Sequence, residues 1–271
     1  MKDQILTVQF NNKISGGVYH MSLAGDCSEI SRPGQFIDIK IDDFFLRRPI
    51  SIFDHDDDHV EILYRVIGAG TDALATKAPG DELDVLLPLG NGFDAEKCGE
   101  RSLLVAGGIG MPPIHELAKQ LNDSAHSFRV LLGFRSADDI FGIDSFRSLC
   151  IEPVIATEDG SAGVKGLVTD VMEIMRSGKG HAKNASAASG NDTTGELDFD
   201  YDCVFCCGPE PMLRAVYETA IKNNVSEGQF SFEERMGCGF GACMGCSCKT
   251  RYGYKRICRD GPILSMDEIL W

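Results

Sequence analysis

The first part of the chain carries short apolar runs separated by Pro, Gly and Asp. Three of these runs, at 35–41, 59–67 and 81–90, have the length of a strand and alternate in part between apolar and polar positions. A helical pattern is confined to the short stretch 71–77. Closely spaced strands of this kind predict a small antiparallel barrel, which we assign to residues 1–98.

The pattern then changes to apolar strands that alternate with helical repeats. The segment 102–123 reads as a strand, a glycine turn and a helix whose first turn holds Pro112 and Pro113, where proline is tolerated. The same order returns over 201–224. Two more strand candidates and one more helix lie between these segments, at 127–134, 152–157 and 166–176. Alternation of this kind predicts a parallel sheet, and we assign residues 99–230 to an α/β domain.

Two polar segments interrupt these patterns. Residues 177–198 are small, polar and glycine-rich, which predicts a flexible surface insertion in the α/β domain. The acidic run DHDDDH at 54–59 has side chains that bind metals, but it lies between two strand candidates. A solvated hairpin loop is therefore the favoured interpretation of the acidic run.

Length and charge narrow the classes of function. The 271 residues are enough for two ordinary domains and a small third. The formal net charge of −15 argues against a nucleic-acid partner and against an anionic membrane surface. No apolar run reaches the length of about 18 residues that a membrane span needs, and the first residues lack the pattern of a signal peptide. We therefore expect a cytoplasmic protein.

Eleven cysteines point to metal chemistry, because clustered cysteines in a reducing cytoplasm bind metals more often than they form disulfides. Cys238, Cys243 and Cys246 have the spacing C-x4-C-x2-C of plant-type [2Fe-2S] clusters, which take a more distant fourth cysteine. Gly239 and Gly241 allow the backbone N–H groups of this loop to approach the sulfurs. A zinc site, the main alternative, usually pairs its cysteines in two C-x2-C arms.

The number of cysteines leaves the fourth ligand open. Cys248 lies in the same loop, two residues after Cys246, whereas Cys258 follows further along the chain. We favour Cys258, because a chain that returns on a strand can close the site from another side. Cys248 remains the alternative at this point.

Two glycine turns follow apolar strands in the α/β part. In LLVAGGIGMPP at 103–113, free N–H groups at a helix N-terminus can bind a pyrophosphate, although a plain tight turn has a similar pattern. The second turn, CCGPEPM at 206–212, also lies where a strand ends, and this edge of an α/β sheet binds ligands. Asp138 and Asp139 favour the ribose hydroxyl of NAD, whereas Arg135 favours the 2′-phosphate of NADP.

The barrel part contains a strand with a basic end, RRPISI at 47–52, followed by YRVIGAGT at 64–71. The Arg48 guanidinium can neutralise a phosphate, and the Ser51 hydroxyl can form a hydrogen bond with a polar ring edge. By themselves these residues predict no more than a strand.

In this order, the motifs RRPIS, YRVIGAGT, GGIGMPP, CGPEPM, CGFGACMGC and ICRDGP resemble the ferredoxin–NADP reductase superfamily. Within it, the chain is similar to the electron-transfer subunits of class 1B dihydroorotate dehydrogenase. The motifs extend from residue 47 to about 262, and the C-terminal cysteine motif is the most specific of them. The resemblance implies an antiparallel FAD-binding barrel, a parallel-sheet nicotinamide-binding domain, and a small [2Fe-2S] domain over 231–271.

The resemblance also implies which residues contact each cofactor. For FAD they are Arg48, Pro49, Ile50, Ser51, Arg65, Val66, Ile67, Gly70 and Thr71. For the nicotinamide dinucleotide, which the resemblance implies to be NAD, they are Gly107, Gly108, Gly110, Pro112, Cys207, Gly208 and Pro209. For the cluster they are Cys238, Cys243, Cys246 and Cys258, which excludes Cys248. We expect no catalytic general base among the side chains.

The function implied by the resemblance is an electron relay in pyrimidine (UMP) biosynthesis. Electrons pass from the FMN of a dihydroorotate dehydrogenase catalytic subunit through the [2Fe-2S] cluster and FAD to NAD+, in a complex implied to be a two-plus-two heterotetramer. An alternative is an NAD(P)H-dependent flavin and iron-sulfur reductase subunit of another complex, such as a sulfhydrogenase or a ferredoxin-linked transhydrogenase. A zinc-binding interaction module is the alternative outside redox chemistry.

Overall fold

The computed structural model describes residues 1–97, 99–124, 126–177 and 197–271. The strands of the first half are β1 (Lys2–Ser15), β2 (Val18–Ala24), β3 (Phe36–Ile39), β4 (Arg48–His55), β5 (His59–Arg65), β6 (Glu82–Leu89), β7 (Arg101–Gly107) and β8 (Ser127–Phe134). Those of the second half are β9 (Val154–Thr157), β10 (Val164–Lys165), β11 (Cys203–Cys207), β12 (Glu227–Ser231), β13 (Ser247–Thr250), β14 (Gly253–Arg256) and β15 (Ile263–Ser265).

The α-helices of the described residues are α1 (Ala69–Ala75), α2 (Met111–Asp123), α3 (Ile143–Ser148), α4 (Val168–Ser177), α5 (Glu210–Lys222) and α6 (Ile257–Asp260). Short 3-10 turns lie at Ala95–Lys97, Gly108–Gly110 and Ala137–Asp139. In the described ranges, no helix combines the length and apolarity needed to cross a bilayer.

Strands β1 to β6 close an antiparallel barrel in the order β1-β2-β5-β4-β3-β6, which confirms the predicted barrel. Its interior is apolar, with side chains such as Leu6, Met21 and Ile62 fully buried. β1 has 14 residues and is longer than the predicted short strands. Many of its side chains face solvent, so its sequence lacks a strong apolar signal. The acidic run 54–59 forms the β4–β5 hairpin, as the favoured interpretation predicted.

A seven-stranded sheet in the order β10-β9-β8-β7-β11-β12-β15 forms the second half of the molecule. All neighbours are parallel except β12 and β15. β7 and β11 are apolar along nearly their whole length because they are buried on both faces. The predicted parallel sheet is thereby confirmed. Most of the predicted insertion, 178–196, lies outside the described residues.

Helix α2 joins the barrel to the sheet. One side of α2 packs on the sheet, and the other meets β4 of the barrel. The buried Glu116 carboxylate lies 2.7 Å from His55 Nδ1 and accepts a hydrogen bond from the Gly34 N–H at 3.3 Å. His115 stacks on Phe53 with ring centroids 4.5 Å apart. These contacts set the position of the barrel relative to the sheet.

The C-terminal segment is built into both halves. After the β13–β14 hairpin and α6, the chain adds β15 to the edge of the sheet, with Ile263 opposite Ser231. Two buried cysteines, Cys246 and Cys258, belong to the same apolar cluster as Leu89 of the barrel. The predicted boundaries after residues 98 and 230 stay predictions, and β12 extends across the second of them.

Phe205 provides a test of how much the buried core of the sheet contributes to the free energy of unfolding. Its side chain is fully buried on β11, and its ring centroid lies 5.8 Å from that of Phe93. Phe205→Ala should lower the free energy of unfolding by about 3–5 kcal/mol, because it leaves a cavity. Ile221→Ala, on the exposed side of α5, is the control and should change that free energy by less than about 0.5 kcal/mol. Denaturant titration of both variants measures the difference, and equal losses would contradict the prediction.

Candidate functional site

The predicted flavin strand is β4, and its register shows which side chains leave the barrel. Pro49 lies opposite Asp38 and Ser51 opposite Phe36, whereas Ile50 lies opposite Ile37. Directly opposed residues share one face of a sheet, and Ile37 belongs to the barrel core. Pro49 and Ser51 therefore face outward, and the Ile50 side chain packs inward, so that only its backbone is offered to a ligand.

Arg48 brings the two predicted flavin stretches together. Its guanidinium lies against the backbone of Gly70, where a Cβ would come within 2.2 Å of Nη2. The same group lies over the Phe44 ring, 5.1 Å from its centroid. Among the described residues, Arg48 has no carboxylate partner, whereas the neighbouring Arg47 pairs with Asp84 at 2.7 Å. The Arg48 charge is thus available to a phosphate, as an FAD site requires.

The rest of the second stretch shapes a turn. Thr71 Oγ1 accepts hydrogen bonds from the backbone N–H groups of Ile67 and Gly68, at 3.0 and 3.3 Å. This hydroxyl therefore holds the start of α1 in place. Val66 packs on the barrel core, and the Ile67 side chain is exposed. The assignment of these residues to FAD stays a prediction, and the geometry fits a backbone-lined site.

Apart from the flavin strand, a cavity of about 450 Å3 opens at the carboxyl ends of the parallel strands. Four of the predicted cofactor residues line it: Arg65, Gly107, Gly108 and Pro209. Gly110 instead packs the two turns together, since a Cβ there would lie 2.4 Å from the Cys207 carbonyl oxygen. Pro112 and Cys207 are buried and do not line the cavity. Gly208 would place a Cβ 2.5 Å from Met212 Cε, so it also serves the packing of the turn.

The charged lining of this cavity includes one residue that the sequence reasoning missed. Arg135 and Asp139 line it, as does Glu158, whereas Asp138 does not. The Glu158 N–H donates to the carbonyl oxygen of Phe134 at 3.1 Å, which places the ends of β8 and β9 side by side. Its position directly after a predicted strand was the available signal, because ligands bind at this edge. Asp139 and Glu158 can accept hydrogen bonds from ribose hydroxyls, whereas Arg135 in the same cavity can bind a 2′-phosphate.

The cysteine loop has the backbone that its glycines allow. Gly239 and Gly241 have φ of +75° and +88°, in the left-handed region. The Ala242 N–H donates to Cys238 Sγ at 3.2 Å, and the Gly245 N–H donates to Cys243 Sγ at 3.4 Å. Such N–H···S contacts are those expected around an anionic cluster.

The thiols are arranged in two pairs. The Cys243 N–H lies 3.5 Å from Cys238 Sγ, and the Cys258 N–H lies 3.4 Å from Cys246 Sγ. In the part of the chain that the structure describes, no three His, Cys, Asp or Glu side chains converge in a way that could hold a metal ion. A zinc site needs three or four ligands around one point, whereas each iron of a [2Fe-2S] cluster takes two protein ligands. Two cysteine pairs fit the two protein ligands that each iron of a [2Fe-2S] cluster takes.

The two pairs differ in exposure. Cys246 and Cys258 are buried, Cys238 is half-buried, and Cys243 is exposed. Partial burial opposes ionisation of Cys238, but the backbone N–H groups of Cys243 and Phe240 outweigh it and lower the pKa of the thiol to about 6. Burial and the neighbouring Cys246 raise the pKa of Cys258 to about 12. The site thus has a buried inner pair, Cys246 and Cys258, and an outer pair, Cys238 and Cys243, that lies nearer the surface.

Cys248 lies outside both pairs. It is half-buried on β13, and its burial raises the pKa of its thiol. Its side chain lines a separate cavity with Trp271 and Lys249. The structure therefore places Cys258 beside Cys246 and leaves Cys248 to one side, although the ligand assignment itself stays a prediction.

Comparison with known proteins agrees with this geometry. Residues 233–270 match the family described as the iron-sulfur cluster binding domain of dihydroorotate dehydrogenase B. The chain is 38% identical over 280 residues to the dihydroorotate dehydrogenase B (NAD(+)), electron transfer subunit, of Bacillus velezensis, with 99% of each chain covered. It is 39% identical over 280 residues to the subunit of the same name from Fusobacterium nucleatum, with 99% of each covered.

Solved structures share the fold. A chain from the structure of the NADH-dependent reduced ferredoxin-NADP oxidoreductase superposes with a TM-score of 0.82 at 27% identity, covering 98% of this chain and 90% of that one. Phthalate dioxygenase reductase superposes with a TM-score of 0.62 at 18% identity, covering 95% and 77%. The second likeness shows the fold alone.

Adjacent arginines allow a matched test of the flavin site. Arg48→Lys should weaken FAD binding roughly tenfold, about 1.4 kcal/mol, because lysine cannot reproduce the planar group held over Phe44 and against Gly70. Arg47→Lys should leave FAD affinity unchanged, since Arg47 is used by Asp84. Titration of the flavin-free chains with FAD measures both affinities. The assignment would be wrong if Arg48→Lys bound FAD as tightly as the unmutated chain.

The two candidates for the fourth ligand, Cys248 and Cys258, allow a matched test of the cluster. Cys258→Ser should lose most of the bound iron, because it breaks the inner pair with Cys246. Cys248→Ser should keep the iron content and visible absorption of the unmutated chain. Iron analysis per chain distinguishes them, and the reverse result would show that Cys248 is the ligand.

Proposed function

Because the chain belongs to the family of dihydroorotate dehydrogenase B electron transfer subunits, we propose that it relays electrons from a catalytic subunit to NAD+ in pyrimidine (UMP) biosynthesis. The source of the electrons is the FMN of the catalytic subunit, which oxidises dihydroorotate. The observation that carries the proposal is the position of the cysteine loop: Gly239, next to Cys238, lies against Asp38 of β3, and β3 pairs with the predicted flavin strand β4.

The residues fit a relay of three carriers. When bound, the cluster exchanges single electrons, FAD stores two, and NAD+ takes them up as a hydride. The outer pair, Cys238 and Cys243, lies at the surface, where a partner protein has access. The inner pair, Cys246 and Cys258, is buried in the apolar cluster that also contains Leu89 of the barrel, and the dinucleotide cavity opens at the carboxyl ends of the parallel strands. An outer pair nearer the surface than the inner pair supports electron entry from a partner protein at the cysteine loop.

The protein's contribution in this proposal is binding and placement. Arg48, which has no carboxylate partner among the described residues, offers its positive charge to the FAD phosphates, and Gly70 lets the guanidinium approach the backbone. Gly107 and Gly108 present backbone to the dinucleotide. Glu158 and Asp139 in the same cavity support NAD over NADP. No side chain is assigned as a general base, since electron and hydride transfer need none here.

The partner is part of the same proposal. The names of the relatives describe a subunit, which implies a catalytic partner. We propose an FMN-containing dihydroorotate dehydrogenase catalytic subunit, in a two-plus-two heterotetramer in the cytoplasm. The exposed cysteine loop, with Phe240 and Met244 about half exposed beside it, supports a protein contact at this surface.

A second candidate function has one observation in its favour. The chain superposes on a chain from the NADH-dependent reduced ferredoxin-NADP oxidoreductase structure over almost its full length, at 27% identity. The same fold can therefore serve as an NAD(P)H-dependent flavin and iron-sulfur reductase subunit of another complex. The substrate of the partner separates the two candidates.

Co-expression with a dihydroorotate dehydrogenase catalytic subunit tests the proposal. The purified complex should show flavin and cluster absorption and reduce NAD+ when given dihydroorotate. The same complex with Cys258→Ser should still oxidise dihydroorotate with a dye acceptor but lose most of its NAD+ reduction. A complex with flavin and cluster absorption that does not react with dihydroorotate would favour the second candidate. A zinc-containing protein without visible absorption would contradict both candidate functions.

A further inference from the structure

Asp38 carries a buried carboxyl group, one of whose oxygens has no hydrogen-bond partner among the described residues. It lies on β3 of the barrel with a 2% exposed side chain. Within the described part of the chain, its Oδ1 has no hydrogen-bond partner. Native proteins rarely bury a carboxyl oxygen without a hydrogen bond, because the oxygen then loses its bonds to water and gains no bond within the protein. A function at this position is therefore a reasonable expectation.

The strand register places Asp38 between the two cofactor regions. Across the sheet, Asp38 lies opposite Pro49 of β4 on one side and opposite Leu86 of β6 on the other. Opposed residues share a face, so Asp38 points out of the barrel on the face that carries Pro49 and Ser51. Neighbouring strands are about 4.8 Å apart. The carboxyl group is thus one strand away from the predicted flavin strand.

The cluster loop lies directly on this carboxyl group. Gly239 follows the predicted ligand Cys238, and a Cβ on Gly239 would come within 2.5 Å of Asp38 Oδ2 and 3.4 Å of Leu89. The left-handed φ of Gly239 and the missing side chain permit this approach. The outer face of β3 and β6 and the cysteine loop therefore meet at Asp38.

The nearby arginines do not neutralise Asp38 by direct pairing. Arg47 donates to the carboxylate and carbonyl oxygens of Asp84 and to the backbone oxygen of Asp38. Arg48 lies over Phe44. Burial raises the pKa of Asp38 to about 6 against the attraction of both arginines. Well above that pH the group is a carboxylate, and among the residues that the structure describes it has no direct salt bridge.

We propose that Asp38 is a positioning residue that sets the reduction potential of the cluster through its contact with the Gly239 segment. This inference rests on the proposed function, since it takes the cysteine pairs to hold a [2Fe-2S] cluster. Reduction adds a negative charge to the cluster. A carboxylate held against the ligand loop disfavours that charge, and the net charge near a cluster is one determinant of its potential.

The test compares Asp38→Asn with Glu82→Gln in the complete chain bound to its catalytic subunit. Both changes remove one carboxylate from the barrel, but Glu82 is exposed at the far end of β6 from Leu89. Redox titration followed by electron paramagnetic resonance measures the cluster potential well above the pKa of Asp38. In Asp38→Asn, the ratio of reduced to oxidised cluster at a fixed potential should rise at least tenfold, about 59 mV for one electron. Glu82→Gln should match the unmutated chain.

A shift of less than twofold in Asp38→Asn, with normal cluster and flavin absorption, would overturn the inference and leave the proposed function intact. A wild-type complex without cluster signals would instead refute the proposed function. A second measurement compares infrared difference spectra of the unmutated and Asp38→Asn complexes, both labelled with carbon-13 aspartate. A carboxylate band that shifts on cluster reduction is expected in the unmutated complex and not in Asp38→Asn, and its absence from the first or its presence in both would overturn the inference.

Discussion

The outer face of the barrel is the surface on which the rest of the structure depends. Where β3 and β6 meet the C-terminal segment, Phe36, Leu86 and Leu89 pack in one apolar cluster with Cys246 and Cys258. Burial of this face removes apolar surface from water on both sides, which stabilises the contact. The same contact holds the cysteine loop against strands β3 and β6 of the barrel. A cofactor held by that loop therefore keeps a constant position relative to the flavin strand.

Close backbone approach is the second recurring device. Gly70 accommodates the Arg48 guanidinium, Gly110 lets the two dinucleotide turns touch, and Gly239 lets the cysteine loop reach Asp38. In each place a Cβ would come within 2.5 Å of another atom. The glycines therefore join separate parts of the chain at the points where cofactors are expected. Electron transfer requires placement more than reactive side chains, and this construction supplies placement.

Sequence patterns predicted much of this architecture. The strand at 127–134 was predicted with the bounds of β8, and the helix after Pro112 and Pro113 is α2. α2 carries a helical apolar period and β8 a continuous apolar run, and both signals are local properties of the element. β1 was not predicted as a strand, since many of its side chains face solvent and its apolar signal is weak. β15 was missed because three residues carry no periodic signal, and only the partner strand β12 makes them a strand.

The sequence by itself determined the chemical inventory: the cysteine spacing, the glycine turns and the basic strand end all follow from residue order. It also determined the barrel and the parallel sheet, because strand and helix periods are local. Tertiary structure alone decided which thiols form pairs, that Glu158 enters the dinucleotide cavity, and that Asp38 meets Gly239. Those contacts join residues that are far apart in the chain. Their geometry depends on how barrel, sheet and C-terminal segment pack together, which no local pattern records.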